Sequence, residues 1–134
     1  TRIAGLPPAV KLFCGHEYTT NNYRFAAAIE PDNEDVKEKL KWAERLRRDN
    51  LPTMPTTVGD EIATNPYMRI MTSRTACGKL AMAMYQLTGD LVVREGQSDN
   101  AAVLTELRRV KDENLHQGKT ITPQQSSAAS NEGR

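Results

Sequence analysis

Three consecutive side chains with reactive groups, His16, Glu17 and Tyr18, follow an apolar run that ends at Cys14 and Gly15. An amphipathic pattern begins directly after them, so the order strand, turn and helix is predicted. In open α/β folds, ligands bind outside the carboxyl ends of the strands. His16 and Tyr18 are therefore candidate site residues.

A second group of candidates lies in the last predicted helix. Arg108 and Lys111 are three residues apart, so their side chains project from one helical face, whereas Arg109 points away from that pair. Two cations that converge on one spot suit a carboxylate ligand. Composition alone favours a different interpretation, in which Arg108 and Lys111 belong to a solvated face and balance the charges of Glu106 and Asp112.

Length, composition and net charge limit the possible classes of function. The chain has 134 residues, 38% of them apolar, which allows one domain with a modest core. Its 18 basic and 17 acidic residues nearly cancel, so nucleic-acid binding is not favoured, and no stretch of about 18 apolar residues predicts a membrane span. Two cysteines make neither a metal-ligand spacing nor a disulfide framework, which favours a reducing compartment. We expect a cytoplasmic monomer without nucleic-acid or membrane partners, and mitochondrial targeting stays open.

Helical patterns dominate the remaining sequence. Caps, charges and apolar spacing predict a strand at 10–14, a helix capped by Thr19 or Thr20 and ended by Pro31, and a helix from Asp32 or Asn33 to Arg48. The stretch at 51–66 is predicted to be mostly irregular, with at most one helical turn capped by Thr57 and Asp60. After it we predict a helix at 73–87 stopped by Gly89, a strand or helical turn at 91–97, and a helix from Ser98 or Asp99 to about Leu115 with Val103, Leu107 and Val110 on one face.

The strand at 10–14 has no clear partner strand in this sequence. An unpaired buried strand would leave its backbone amides unsatisfied, so a sheet is expected outside the 134 residues. The chain also opens on what reads as mid-domain sequence. Both features predict a piece of a longer protein.

Several strings in the chain resemble one family. Cys14-Gly15-His16-Glu17-Tyr18-Thr19, with Asn22, Phe25-Ala26 and Glu30-Pro31 behind it, resembles the segment of glyoxalase II (hydroxyacylglutathione hydrolase) where the metallo-β-lactamase domain passes into the C-terminal helical domain. The resemblance runs from about Val10 to Asn114. It includes Asn65-Pro66-Tyr67-Met68-Arg69, similar to the family's Asn-Pro-Phe-Leu/Met-Arg, and Arg108-Arg109-Val110-Lys111-Asp112, similar to Arg-Arg-x-Lys-Asp.

The resemblance implies a mainly α fold: one residual strand from an upstream metallo-β-lactamase αββα domain, followed by a C-terminal bundle of four to five helices. It divides the chain into residues 1–31, the end of the upstream domain; residues 32–116, a helical substrate-binding domain; and residues 117–134, a disordered tail. The implied partners are the upstream domain and a glutathione thioester. Its implied reaction is hydrolysis of S-D-lactoylglutathione to D-lactate and glutathione in methylglyoxal detoxification.

The resemblance also assigns roles to residues. His16 matches a ligand to a binuclear zinc, iron or manganese centre, whose other ligands come from motifs that this sequence lacks. Tyr18, Arg108 and Lys111 match residues that bind the glutathione part, the two cations gripping its glycine carboxylate. No other catalytic residue is expected here. From the residues alone, a structural histidine is the favoured interpretation of His16, and Tyr67 is interpreted as core packing.

Three hypotheses stay open at this stage. In the first, the chain is the C-terminal part of a hydroxyacylglutathione hydrolase and inactive alone. In the second, it is a stand-alone helical module, or pseudoenzyme, that binds glutathione conjugates or a partner. The third is a helical scaffold without a ligand. An upstream Thr-His-x-His-x-Asp-His motif would decide for the enzyme.

Overall fold

The computed structural model describes residues 2–89 and 100–117, with the side chains of 114–117 excepted. Within these residues the secondary structure consists of a short 3-10 helix at Ile3–Gly5, strands β1 (Lys11–Leu12) and β2 (Thr56–Thr57), and helices α1 (Thr19–Ile29), α2 (Glu34–Arg48), α3 (Val58–Thr64), α4 (Pro66–Thr72), α5 (Arg74–Thr88) and α6 (Asn100–Gln117). The mainly α prediction is confirmed, and the five helices found after residue 32 in the described ranges agree with the four to five that the resemblance implies. No helix in the described ranges is long and apolar enough to cross a membrane.

The predicted strand is present but short, and the expectation that it lacks a partner is wrong. β1 pairs antiparallel with β2, with Lys11 opposite Thr57 and Leu12 opposite Thr56. The Val58 N–H donates to the Val10 carbonyl at 2.9 Å, which extends this small ribbon by one bond. A partner of two threonines within a proline-rich loop gives no alternating apolar pattern, so periodicity could not reveal it.

Capping explains where most helices begin. The side chains of Asn33, Thr57 and Ser73 accept hydrogen bonds from backbone N–H groups in the first turns of α2, α3 and α5, respectively. Gly89 ends α5 in the left-handed conformation, with φ of 74°. The Thr19 or Thr20 cap was wrongly predicted, because Tyr18 occupies the N-cap of α1 without a side-chain cap bond.

The stretch at 51–66 contains more helix than predicted. Its second half forms α3, and Asn65 then caps α4 by accepting from the Tyr67 N–H at 3.0 Å. Pro66 occupies the first turn of α4, where its missing N–H costs nothing. The pair Asn65-Pro66 therefore both ends one helix and starts the next, which a single-turn interpretation misses.

The main core lies where α1, α4, α5 and α6 meet. It consists of buried apolar side chains from those four helices: Phe25, Ile29, Ile70, Cys77, Leu80, Met84, Val103, Leu107 and Val110. The predicted apolar face of α6 is confirmed, since Val103 and Leu107 are fully buried. The boundary predicted at residue 31 stays a prediction. The segments at 91–97 and 118–134 lie outside the described residues.

Candidate functional site

A cleft of about 310 Å³ brings three of the four predicted site residues together. His16 and Tyr18 contribute from the segment before α1, and Lys111 contributes from α6. Besides Lys111, its walls come from five regions: the segment between Cys14 and Ala26, Trp42 of α2, the loop at 53–56, the end of α3, and the start of α4 with Tyr67. A volume of this size is at the small end of ligand pockets.

The wall of the cleft that carries His16 and Tyr18, formed by the segment before α1, is exposed. The His16 and Tyr18 rings stack with their planes 1° apart and their centroids 5.3 Å apart, and Tyr18 is 60% exposed. Gly15 has no unusual backbone angle and no close neighbour, because its φ is not positive and the position of an added Cβ is open.

Glu17 anchors this wall to the loop after α2. Its carboxylate accepts a hydrogen bond from the Thr53 hydroxyl and another from the Thr53 N–H at 3.2 Å, and Arg47 lies 3.9 Å away. The Thr53 side chain is fully buried, and its oxygen lies 2.6 Å from that of Thr19. Because the Thr53 hydroxyl bond favours the charged form more than burial opposes it, the pKa of Glu17 is lowered. The anchor therefore holds the segment that carries His16 and Tyr18.

Lys111 is half-buried and points into the opposite wall. Its Nζ donates to Asn22 Oδ1 at 2.7 Å and lies 5.7 Å from the centroid of the Tyr67 ring. Burial lowers the pKa of Lys111, and the charge of Arg108 adds to this effect while that of Asp112 opposes it. Asn22 and Tyr67 thus fix the position of the ammonium group.

Arg108 is exposed and does not line the cleft, but its charge acts on both Lys111 and the Tyr67 hydroxyl. Arg109 faces elsewhere: it pairs with Glu106 at 2.5 Å and with Glu113 at 2.7 Å. Glu106 is therefore engaged by Arg109. The interpretation in which Arg108 answers Glu106 is not what the structure has.

A second set of bonds orients Tyr67. The Asn65 amide accepts from the Tyr67 N–H and donates from Nδ2 to Glu61 Oε2 at 2.7 Å. The Tyr67 ring packs against the main core and also lines the cleft. The core-packing interpretation of Tyr67 is therefore confirmed but incomplete.

The described residues do not form a complete metal site. No group of three or more His, Cys, Asp or Glu side chains in these ranges is placed to hold an ion. A catalytic zinc site needs about three protein ligands. His16 is exposed at the edge of the cleft and fits as one imidazole ligand to a metal ion whose other ligands come from elsewhere.

Sequence reasoning gave Asn22, Thr53 and Tyr67 no role in the site. Asn22 and Lys111 are 89 positions apart, and Glu17 and Thr53 are 36 apart, so no local spacing signals either contact. Tyr67 carried a signal, because a phenol that packs on a core needs a polar partner or solvent for its hydroxyl.

A family model described as "Hydroxyacylglutathione hydrolase C-terminus" matches residues 17–114. Among similar proteins, a hydroxyacylglutathione hydrolase of Mesorhizobium japonicum is 50% identical over 68 residues, 51% of this chain and 27% of its own length. A "Hydroxyacylglutathione hydrolase cytoplasmic" of Arabidopsis thaliana is 46% identical over 68 residues, 51% of this chain and 26% of its own length.

A longer match covers more of the chain. A hydroxyacylglutathione hydrolase of Brucella ovis is 38% identical over 111 residues, 83% of this chain and 38% of its own length. The chain thus spans well under half the length of the curated relatives that it matches.

Proposed function

Because the chain belongs to the hydroxyacylglutathione hydrolase C-terminus family, we propose that it is the C-terminal part of an enzyme that hydrolyses S-D-lactoylglutathione to D-lactate and glutathione. The supporting observation is the cleft that holds His16, Tyr18 and Lys111, with Arg108 one turn before Lys111 on the same helix. The cytoplasmic location and the role in methylglyoxal detoxification belong to this proposal.

Arg108 and Lys111 bind the glycine carboxylate of the glutathione part. Asn22 holds the Lys111 ammonium towards the cleft, and partial burial strengthens its attraction for an anion relative to a fully hydrated lysine. Tyr18 donates a hydrogen bond to the same tripeptide. This chain therefore supplies the grip on a part of the substrate that is remote from the thioester.

His16 contributes one ligand to a binuclear zinc, iron or manganese centre, and the other ligands come from an upstream metallo-β-lactamase domain. A metal pair held there would supply a nucleophilic water near neutral pH and would polarise the thioester carbonyl. The Glu17 anchor orients the segment that carries His16.

Kinetics in an enzyme that joins an upstream metallo-β-lactamase domain to this chain test the binding roles. A carboxylate remote from the scissile bond is gripped about equally in the ground and transition states, so its loss raises KM and leaves kcat nearly unchanged. A charge-assisted contact is worth roughly 1.5–3 kcal/mol, so Arg108→Ala should raise KM on the order of ten-fold. Higher salt should weaken substrate binding in the parent, and less so in the Arg108→Ala, Lys111→Ala double variant.

Arg109→Ala is the matched control. The Arg109 guanidinium is held by Glu106 and Glu113, away from the cleft, so KM should stay at the parent value. Equal rises in KM for Arg108→Ala and Arg109→Ala, or a loss of kcat with KM intact in Arg108→Ala, would contradict the assignment.

The 134-residue chain alone tests whether the metal ligands are divided between two domains. As part of an enzyme it should bind glutathione thioesters without hydrolysing them and without holding one metal ion per chain. Elemental analysis after dialysis and a thioester hydrolysis assay check this. Turnover above the uncatalysed rate, or a stoichiometric metal, would refute the proposed division of ligands between two domains.

A further inference from the structure

Three tyrosines line the cleft, and their hydroxyl groups are in different situations. Tyr18 is 60% exposed, so its hydroxyl is available to solvent. Tyr23 is buried, and its oxygen lies 3.4 Å from Thr64 Oγ1. Tyr67 is half-buried, yet within the described ranges no side chain or backbone group bonds its hydroxyl. A partly buried phenol that lines a cleft without a protein partner is suited to bind a ligand.

The Tyr67 ring is held firmly. Asn65 fixes its backbone at the N-terminus of α4, and its side chain packs against the main core. Lys111 Nζ lies over the ring, 5.7 Å from its centroid. A group that is held in place before binding loses little conformational freedom when a ligand arrives.

The surroundings of Tyr67 are those of an anion site. The charge of Arg108 acts on the hydroxyl, and Lys111 stands over the ring. Burial raises the pKa of Tyr67, with Asp112 adding to this and Arg108 opposing it, so the phenol stays a neutral donor at physiological pH. A neutral O–H donor beside two cations suits a carboxylate oxygen.

We propose that the Tyr67 hydroxyl donates a hydrogen bond to the same ligand carboxylate that Arg108 and Lys111 bind, and so helps to select a ligand with a terminal carboxylate. This inference rests on the proposed function, because it takes that carboxylate to be the glycine carboxylate of glutathione. Tyr67 binds the ligand and takes no part in breaking the thioester.

Two ligands that differ only at the carboxylate test the proposal. The 134-residue chain is titrated with S-methylglutathione and with its glycine carboxamide, and binding is followed by calorimetry and NMR. Tyr67→Phe removes the hydroxyl and keeps the ring under Lys111. It should weaken binding of the carboxylate form about five- to ten-fold and leave the carboxamide nearly unaffected. Tyr85→Phe, at an exposed position on α5 outside the cleft, is the matched control and should change neither.

Each outcome separates the two proposals. A parent chain that prefers the carboxylate form, with Tyr67→Phe unchanged or equally weak for both ligands, overturns the role of Tyr67 and leaves the proposed function standing. A parent that binds both ligands equally, or neither, overturns the carboxylate grip and this inference with it. In the parent, the NMR signals of the Tyr67 ring should shift when the carboxylate form binds and not when the carboxamide is added. This measurement requires no variant.

Discussion

Lys111 and His16 line the same cleft, but the structure supports them in different ways. The helix that carries Lys111 is backed by Val103, Leu107 and Val110, which are 0%, 0% and 3% exposed. The segment that carries His16 is exposed, and a single carboxylate, Glu17, ties it to the neighbouring loop. The position of the cation therefore depends on the core, whereas the position of the imidazole depends on a few polar bonds.

This difference matches the proposed division of labour. Burial of three side chains on one helical face fixes the orientation of the helix, and with it the direction of Lys111 beside that face, so this chain can position the cation by itself. An exposed segment with one anchor gains further contacts when another domain covers it. Phe13, which is 74% exposed, lies in the same part of the chain and offers an apolar surface for such contacts.

The largest expected effect on stability comes from a substitution in the core that supports α6. Leu107→Ala removes a fully buried side chain at the centre of the main core, so it should lower the free energy of unfolding by about 2–5 kcal/mol. Urea unfolding followed by circular dichroism measures it. Thr105→Ala, an exposed position on the same helix, should stay within about 0.5 kcal/mol of the parent. A loss below about 1 kcal/mol for Leu107→Ala would mean that the core does not set this wall.

The next effect concerns the stability contribution of Tyr23, a buried residue that also lines the cleft. Burial raises its pKa from the ordinary value of 10.0 to about 12. The folded chain keeps this proton where the unfolded chain loses it. The contribution to stability is thus fully present below pH 10 and is lost as the pH rises towards 12, by up to about 2–3 kcal/mol.

Tyr23→Phe removes this titration and keeps the ring. The free energy of unfolding of the parent should fall more steeply than that of the variant between pH 9.5 and 11.5, roughly the window set by the two pKa values. Other groups that titrate there are common to both proteins, so the difference between the curves isolates Tyr23. Parallel curves would show that the phenol is not buried as the structure has it.

The two sides of the cleft also differ in how far sequence reasoning reached. The apolar face of α6 and the projection of Arg108 and Lys111 follow from helical periodicity, so both were predictable. The Glu17 anchor and the Asn22 contact join distant parts of the chain through side-chain hydrogen bonds, which leave no periodic trace. β2 was missed because its two threonines show no alternating apolar pattern and pair with β1 only in the folded chain.

His16 shows another limit. Residue types alone favoured a structural histidine, and the family resemblance alone pointed to a metal ligand. Its exposed position and its stacking on Tyr18 leave the ring available, but the described residues bring it no second ligand. This chain cannot show a metal site whose other ligands lie elsewhere. The residues that position Lys111, by contrast, are all present in it.

A smaller effect is expected at the anchor of the exposed wall. Glu17→Gln weakens the acceptor of the Thr53 N–H, so exchange of that amide hydrogen should speed up about five-fold, the ratio for roughly 1 kcal/mol of hydrogen bond. Amides of α6 should be unaffected, and Glu44→Gln, whose ion pair with Arg24 is exposed, is the control. Because the pKa of Glu17 is lowered, the parent keeps this protection above the ordinary carboxyl range near pH 4.5. It loses protection only as the pH falls through the lowered value.

The smallest expected effect is that of His16→Ala on stability. The ring is exposed and touches the fold mainly through the stack on Tyr18, so the free energy of unfolding of this chain should change by less than about 0.5 kcal/mol. The same substitution in an enzyme that includes the upstream domain should lower metal content and kcat together, because one ligand is lost. Thermal unfolding of the chain and elemental analysis of the enzyme measure the two effects. A loss above about 1 kcal/mol in the chain, with metal retained in the enzyme, would make His16 a structural residue, and both walls of the cleft would then be supports of the fold.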